Sequence, residues 1–118
     1  MRVLVAEGNL ALSTIWCRHL RRQGLDVVQA LSQDQAMDEL RDHDFGALIL
    51  NLKLPESNVL AISDVATYRN PDIAIILVTA DRFFSDGSIF DLVPNARSFV
   101  NDQVRPDDLA AMVDHYSA

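Results

Sequence analysis

The chain has 118 residues, half of them apolar, and a formal net charge of −7 from 10 basic and 17 acidic side chains. Such a length fits one domain with a core that needs no staple, and its composition is that of a compact fold and not of a disordered chain. The acidic balance repels polyanions, which makes nucleic acid a poor partner, and no run reaches the roughly 18 apolar residues of a membrane span.

Val3 to Ala6 reads as a short apolar strand. Asn9 then caps a helix whose apolar positions Leu12, Ile15, Trp16, Cys17 and Leu20 recur at helical spacing until Gly24 ends it. Leu25 to Ala30 is the next strand, and Ser32 with Gln35 forms a capping-box pattern before Ala36, Met37 and Leu40. Ala47 to Leu50 is a third strand and Val59 to Tyr68 a third helix, closed by Asn70-Pro71. "IAIILV", Ile73 to Val78, has the continuous apolar character of a strand covered on both faces. "ADRFFSDGSIFDLVPN" predicts a short or broken fourth helix, because Gly87 and Pro94 interrupt it. Ala96 to Val100 is a fifth strand, and Pro106, at a first helical position with Asp107 and Asp108 behind it, opens the fifth helix.

Met1 leads straight into a strand with no basic leader, so a cytoplasmic protein is expected. The single cysteine, Cys17, has no partner for an internal disulfide and reads as a packing thiol. His19, His43 and His115 lack metal-ligand spacing, and Trp16 is expected to pack its helix on the sheet.

Five βα units call for a parallel sheet with helices on both faces and right-handed crossovers. In such sheets the working site lies at the carboxyl ends of the strands, near a switch in strand order. The residues standing there are Glu7 and Gly8, Asn51, Thr79, and Asp102 with Gln103.

With "VLVAEGN" after the first strand, "LILNLKLP" at the third, "VTA" at the fourth and "ARSFVNDQVRPDDL" at the fifth, the chain resembles a receiver domain of the bacterial two-component response regulators. The resemblance covers essentially its full length. It implies an α/β, flavodoxin-like (βα)5 three-layer sandwich with strand order 2-1-3-4-5, spanning residues 1–118 as one domain without an output domain. It also implies a phosphoacceptor Asp after strand three, an acidic pair holding Mg2+, a hydroxyl and a Lys. At the matching positions stand Asn51, Glu7 with Gly8, Thr79, and Asp102 followed by Gln103.

Three of the five groups have lost their chemistry. A neutral amide oxygen is a far weaker nucleophile than a carboxylate, so Asn51 is not expected to be phosphorylated. Only Glu7 remains of the carboxylates, and Mg2+ binding is expected to be weak or absent, with no other cofactor and no metal. Asp102 reverses the charge where a phosphoryl group would need a cation. A rearranged cation site of Glu7, Asp102 and the Asn51 carbonyl is the alternative; Asp is shorter than Lys, which favours a solvated loop carboxylate at Asp102.

Thr79 and Phe99 match the family's switch pair, although a strand aromatic commonly serves packing alone. Ser57 and Asn58 are placed to cap the third helix, and Val59 stands where the family usually has Gly. Phe83 and Phe84 are adjacent, so one regular helical turn does not turn both inward, and one of them is a candidate interface anchor. The expected function is that of a non-enzymatic, stand-alone receiver-like domain acting by protein–protein contact. Its partner would be a sensor kinase or other signalling protein, or a second copy through the face from the fourth helix to the fifth. The alternatives are a phosphoaccepting receiver using another acid, for which Asp44 lies at the wrong end of the sheet, or a flavodoxin-like nucleotide or flavin binder. The latter is poorly served by the single Gly and anionic Glu7 of "AEGNLALS".

Overall fold

The computed structural model describes residues 1–54, 58–79 and 93–117. Strands β1 (Arg2–Ala6), β2 (Asp26–Ala30), β3 (Ala47–Asn51), β4 (Ala74–Thr79) and β5 (Ala96–Asn101) alternate with helices. The helices are α1 (Leu10–Arg22), α2 (Gln33–Asp42), α3 (Val59–Arg69) and α4 (Pro106–Ser117). The expected strand boundaries hold to within one residue. The fifth helix of the sequence reading is α4 here, and Asn51 is the last residue of β3 instead of the first residue after it. The short helix expected over "ADRFFSDGSIFDLVPN" falls largely outside the described residues, and so do Phe83, Phe84 and Ser57.

All pairings are parallel and the order is β2-β1-β3-β4-β5. The chain therefore winds first to one edge and then to the other, and the reversal falls between β1 and β3. Because the three inner strands are covered on both faces, alternate residues enter two separate cores. Leu4, Leu48, Leu50, Ile75 and Leu77 pack with Leu40 and Ile62 on the α2–α3 side. Val3, Val5, Ile49, Ile76 and Val78 pack with Trp16, Leu20, Leu109 and Val113 on the α1–α4 side. Each such side chain contributes roughly 1.5–3 kcal/mol relative to an exposed one, so the two cores hold the strand register.

Helix ends follow the sequence signals. Asn9 accepts from Leu12 N–H at 3.1 Å and opens α1, Ser32 accepts from Gln35 N–H at 3.2 Å, and Asn58 accepts from Ala61 N–H at 3.2 Å. The Gln35 side chain departs from a regular capping box: it accepts from Leu31 N–H at 2.8 Å, one residue before the cap. Helix α1 closes through Gly24 at φ +84°, with Gly24 N–H on Arg21 C=O (2.9 Å) and Leu25 N–H on Leu20 C=O (3.4 Å), the paired bonds of a Schellman end. A Cβ at Gly24 would meet nothing within 4 Å. Gly24→Ala is therefore expected to cost only the backbone strain of the left-handed region, about 1 kcal/mol in a urea melt; a larger loss would point to a contact the structure lacks.

Trp16 and Cys17 are buried on the sheet side of α1. Burial pushes the Cys17 thiol up from its ordinary value, opposed more weakly by a hydrogen bond with Ser13 and by Arg21, which suits a packing thiol. Among the described residues no helix is long and apolar enough to cross a membrane.

Candidate functional site

Backbone ladders that run one residue past the strands build the carboxyl edge of the sheet. Glu7 N–H donates to Ala30 C=O (3.1 Å), Leu52 N–H to Val78 C=O (2.8 Å) and Asp102 N–H to Thr79 C=O (3.2 Å). These bonds fix the backbone on which Glu7, Asn51 and Asp102 sit.

At the switch between β1 and β3, Asn51 Nδ2 donates to Glu7 Oε2 at 2.5 Å. Both residues are buried, at 4% exposure for Glu7 and 7% for Asn51, so neither can exchange this partner freely for water. Glu7 Oε1 accepts from Asn9 N–H at 3.0 Å. Asn51 Oδ1 accepts from Lys53 N–H at 2.8 Å, and the Asn51 backbone C=O accepts from Leu54 N–H at 3.1 Å. One hydrogen-bonded chain thus runs from the N-terminus of α1 through Glu7 and Asn51 into the turn after β3.

Among the described residues the hydrogen-bond partners of the Glu7 carboxylate are neutral donors, and it forms no ion pair. Two carboxylates at this separation would repel by roughly 6–7 kcal/mol at an effective dielectric of 20 and would call for a cation between them. An amide in place of one of them turns the contact attractive without any ion. The oxygens of the rearranged cation site considered from the sequence are engaged by N–H donors: both Glu7 oxygens and the Asn51 carbonyl. Among the described residues no three His, Cys, Asp or Glu side chains gather as metal ligands would.

Asp102 is half-buried in the turn after β5, where its Oδ1 accepts from Gln103 Nε2 at 3.3 Å; Gln103 N–H in turn donates to Asn101 Oδ1 at 2.8 Å. Among the described residues no hydrogen bond joins Asp102 to Glu7 or Asn51. Gly8 is half-buried beside Glu7. Thr79 is buried at the end of β4 in register with Asn101. Phe99 lies two residues earlier on β5, half-buried against the α2–α3 core. Asn58 caps α3, and its own N–H donates to Gln33 Oε1 at 2.5 Å, which ties that cap to α2.

Sequence spacing did not point to the parts played by Asn9 N–H and Lys53 N–H, because backbone donors carry no residue signature. Nor did it place His19, whose Nδ1 lies 2.7 Å from Asp107 Oδ1 and links α1 to α4.

A five-stranded parallel sheet of order 2-1-3-4-5, with helices on both faces, is the fold of CheY-like receiver domains. A receiver domain protein from Methanospirillum hungatei JF-1 superposes with a TM-score of 0.85 at 21% identity, covering 97% of this chain and 90% of its own. TrrA from Thermotoga maritima, a response regulator protein in complex with Mg2+ and BeF, gives a TM-score of 0.81 at 19% identity, over 98% of this chain and 97% of its own. A response regulator protein from Burkholderia pseudomallei, with a phosphorylated aspartic acid, a calcium ion and citrate, gives 0.80 at 21%, over 99% of this chain and 72% of its own. No family model matches the sequence, and no curated protein matches it.

Proposed function

We propose that the chain is a receiver-like signal-transduction domain that works without aspartyl phosphorylation, by contact with protein partners, and catalyses no reaction of its own. The observation that carries this reading is the buried hydrogen bond from Asn51 Nδ2 to Glu7 Oε2. By the resemblance, Asn51 occupies the phosphoacceptor position, and its amide is a poor nucleophile whose oxygen is already engaged by Lys53 N–H. Mg2+ has one carboxylate to bind here, and that carboxylate is satisfied by neutral donors, so the affinity is weak. Thr79 and Phe99 keep the family's residue types, while the charge reversal at Asp102 removes the cation that a phosphoryl group would need. Output then goes through a surface. The partner is a cytoplasmic sensor kinase or other signalling protein, or a second copy of this chain, with Phe83 or Phe84, which lie outside the described residues, as the proposed anchor.

Intact-mass measurement after incubation with Mg2+ and a small acyl phosphate tests this directly. No added phosphoryl group is expected. A stoichiometric gain of one, removed by hydroxylamine, would sink the reading.

A further inference from the structure

The outer edge of β2 is only partly closed, and which of its backbone groups face outward follows from the ladder. In a parallel pair, alternate residues turn both their N–H and C=O to the neighbouring strand. Asp26 N–H donates to Met1 C=O and Ala30 C=O accepts from Glu7 N–H, so Asp26, Val28 and Ala30 face β1, while Val27 and Gln29 face outward. On the opposite edge, Arg97 C=O is occupied by Tyr116 Oη at 3.1 Å and Asn101 C=O by Val104 N–H at 3.0 Å. On β2, the flanks are occupied: Leu25 N–H by Leu20 C=O and Leu31 N–H by the Gln35 side chain. Between them one further bond is made, from Arg21 Nη2 of α1 to Val27 C=O at 3.2 Å. Among the described residues, Val27 N–H and both backbone groups of Gln29 have no other partner.

We propose that the outer edge of β2 is a self-association surface whose occupant is the same strand of a second copy, and that the Arg21 guanidinium gates it. The strand is self-complementary about Val28. With Val28 opposite the partner's Val28, Val27 of each copy faces Gln29 of the other, and each of these two pairs exchanges both backbone hydrogen bonds. Asp26 then faces the partner's Ala30, so no like charges meet across the pair, and the half-buried Val28 side chains form an apolar cross-strand contact. Two of the four bonds need Val27 C=O, which Arg21 holds. Release of that exposed side chain opens the edge, and its return closes it, a side-chain guard on a strand that would otherwise pair freely. This surface is separate from the Glu7–Asn51 site and stands or falls independently of phosphorylation.

Sedimentation across micromolar to millimolar concentrations tests it with Arg21→Ala. Each dimer of that variant no longer has to break two hydrogen bonds of ordinary net strength, so association about 30-fold tighter than for the unaltered chain is expected. Val27 and Gln29 amides should exchange more slowly with deuterium as concentration rises. Adding Gln29→Pro, which removes an outward N–H and leaves the β1 ladder intact, should reverse the gain. An Arg21→Ala variant no more associated than the unaltered chain overturns the proposal. So does association with no concentration-dependent protection of those two amides, a readout that decides the matter even if the proline variant fails to fold.

Discussion

Asn51→Asp should lower the stability of the fold at pH 7 by up to about 4 kcal/mol, and the deficit should shrink as the pH falls. The amide now donates to Glu7 Oε2 at 2.5 Å in a buried site, and the substitution replaces that attraction by two carboxylates in contact. The Coulomb cost of keeping both charged exceeds the cost of neutralising one, so the folded variant binds a proton. An ordinary carboxyl titrates near 4, and holding it neutral at pH 7 costs about 1.4 kcal/mol for each of roughly three pH units, which sets the ceiling. The sign follows from linkage. The pair's upper pKa is raised on folding, so the folded variant binds more protons than the unfolded one, and its stability relative to the parent recovers as pH falls toward 4. At pH 5 the deficit should be no more than about 1.4 kcal/mol. Millimolar Mg2+ should recover part of the loss at pH 7, because a cation between the carboxylates supplies what the amide supplied. Urea melts at pH 5 and pH 7 with and without Mg2+ check this; a deficit independent of both would show that the amide is not what holds the site together.

The same contact marks where sequence reading stopped. Apolar runs of strand length and helical periodicities carry the architecture because the inner strands are buried on both faces and each helix covers one face. Leu48 to Leu50 and Ile75 to Val78 leave little choice, and Asn9, Ser32, Asn58 and Gly24 announce helix ends by their own hydrogen bonding and backbone freedom. Which groups assemble at the strand ends was also legible, since a parallel (βα)5 sheet brings every strand's carboxyl end to one edge. What those groups do to one another was not. Glu7 and Asn51 are 44 positions apart, and the sequence shows a lost nucleophile and a lone acid without showing that each satisfies the other. The donors that complete the arrangement, Asn9 and Lys53 N–H, belong to the backbone and would be offered by most residue types in those turns. The guard at β2 was hidden for a related reason. Arg21 reads as an ordinary solvated residue of α1 until the strand beside it, and the outward-turned C=O of Val27, are placed.

Glu7→Ala should be the other costly change at this site, lowering stability by about 3 kcal/mol at pH 7. It strips the acceptor from Asn51 Nδ2, which is buried, and from Asn9 N–H at the start of α1, and hydrogen bonds to a charged group contribute about 1.5–3 kcal/mol each. Removing a buried carboxylate also relieves its desolvation, which offsets part of this loss, but the orphaned Asn51 donor remains and decides the sign. Glu7→Gln separates acceptor chemistry from packing. It keeps the side-chain length, yet its single oxygen serves only one of the two donors: turned to Asn51 Nδ2 it sets its own NH2 against Asn9 N–H, and turned to Asn9 N–H it sets that NH2 against the Asn51 NH2. It should therefore recover part of the loss and not all of it. If Glu7 and Asn51 act as one unit, pairing Glu7→Ala with Asn51→Ala should cost less than the two single changes summed, by about 1.5–3 kcal/mol, because the second change no longer leaves a partner stranded. Additive losses would mean that the two residues merely sit side by side, and the site would then lose its claim to have replaced a cation with an amide.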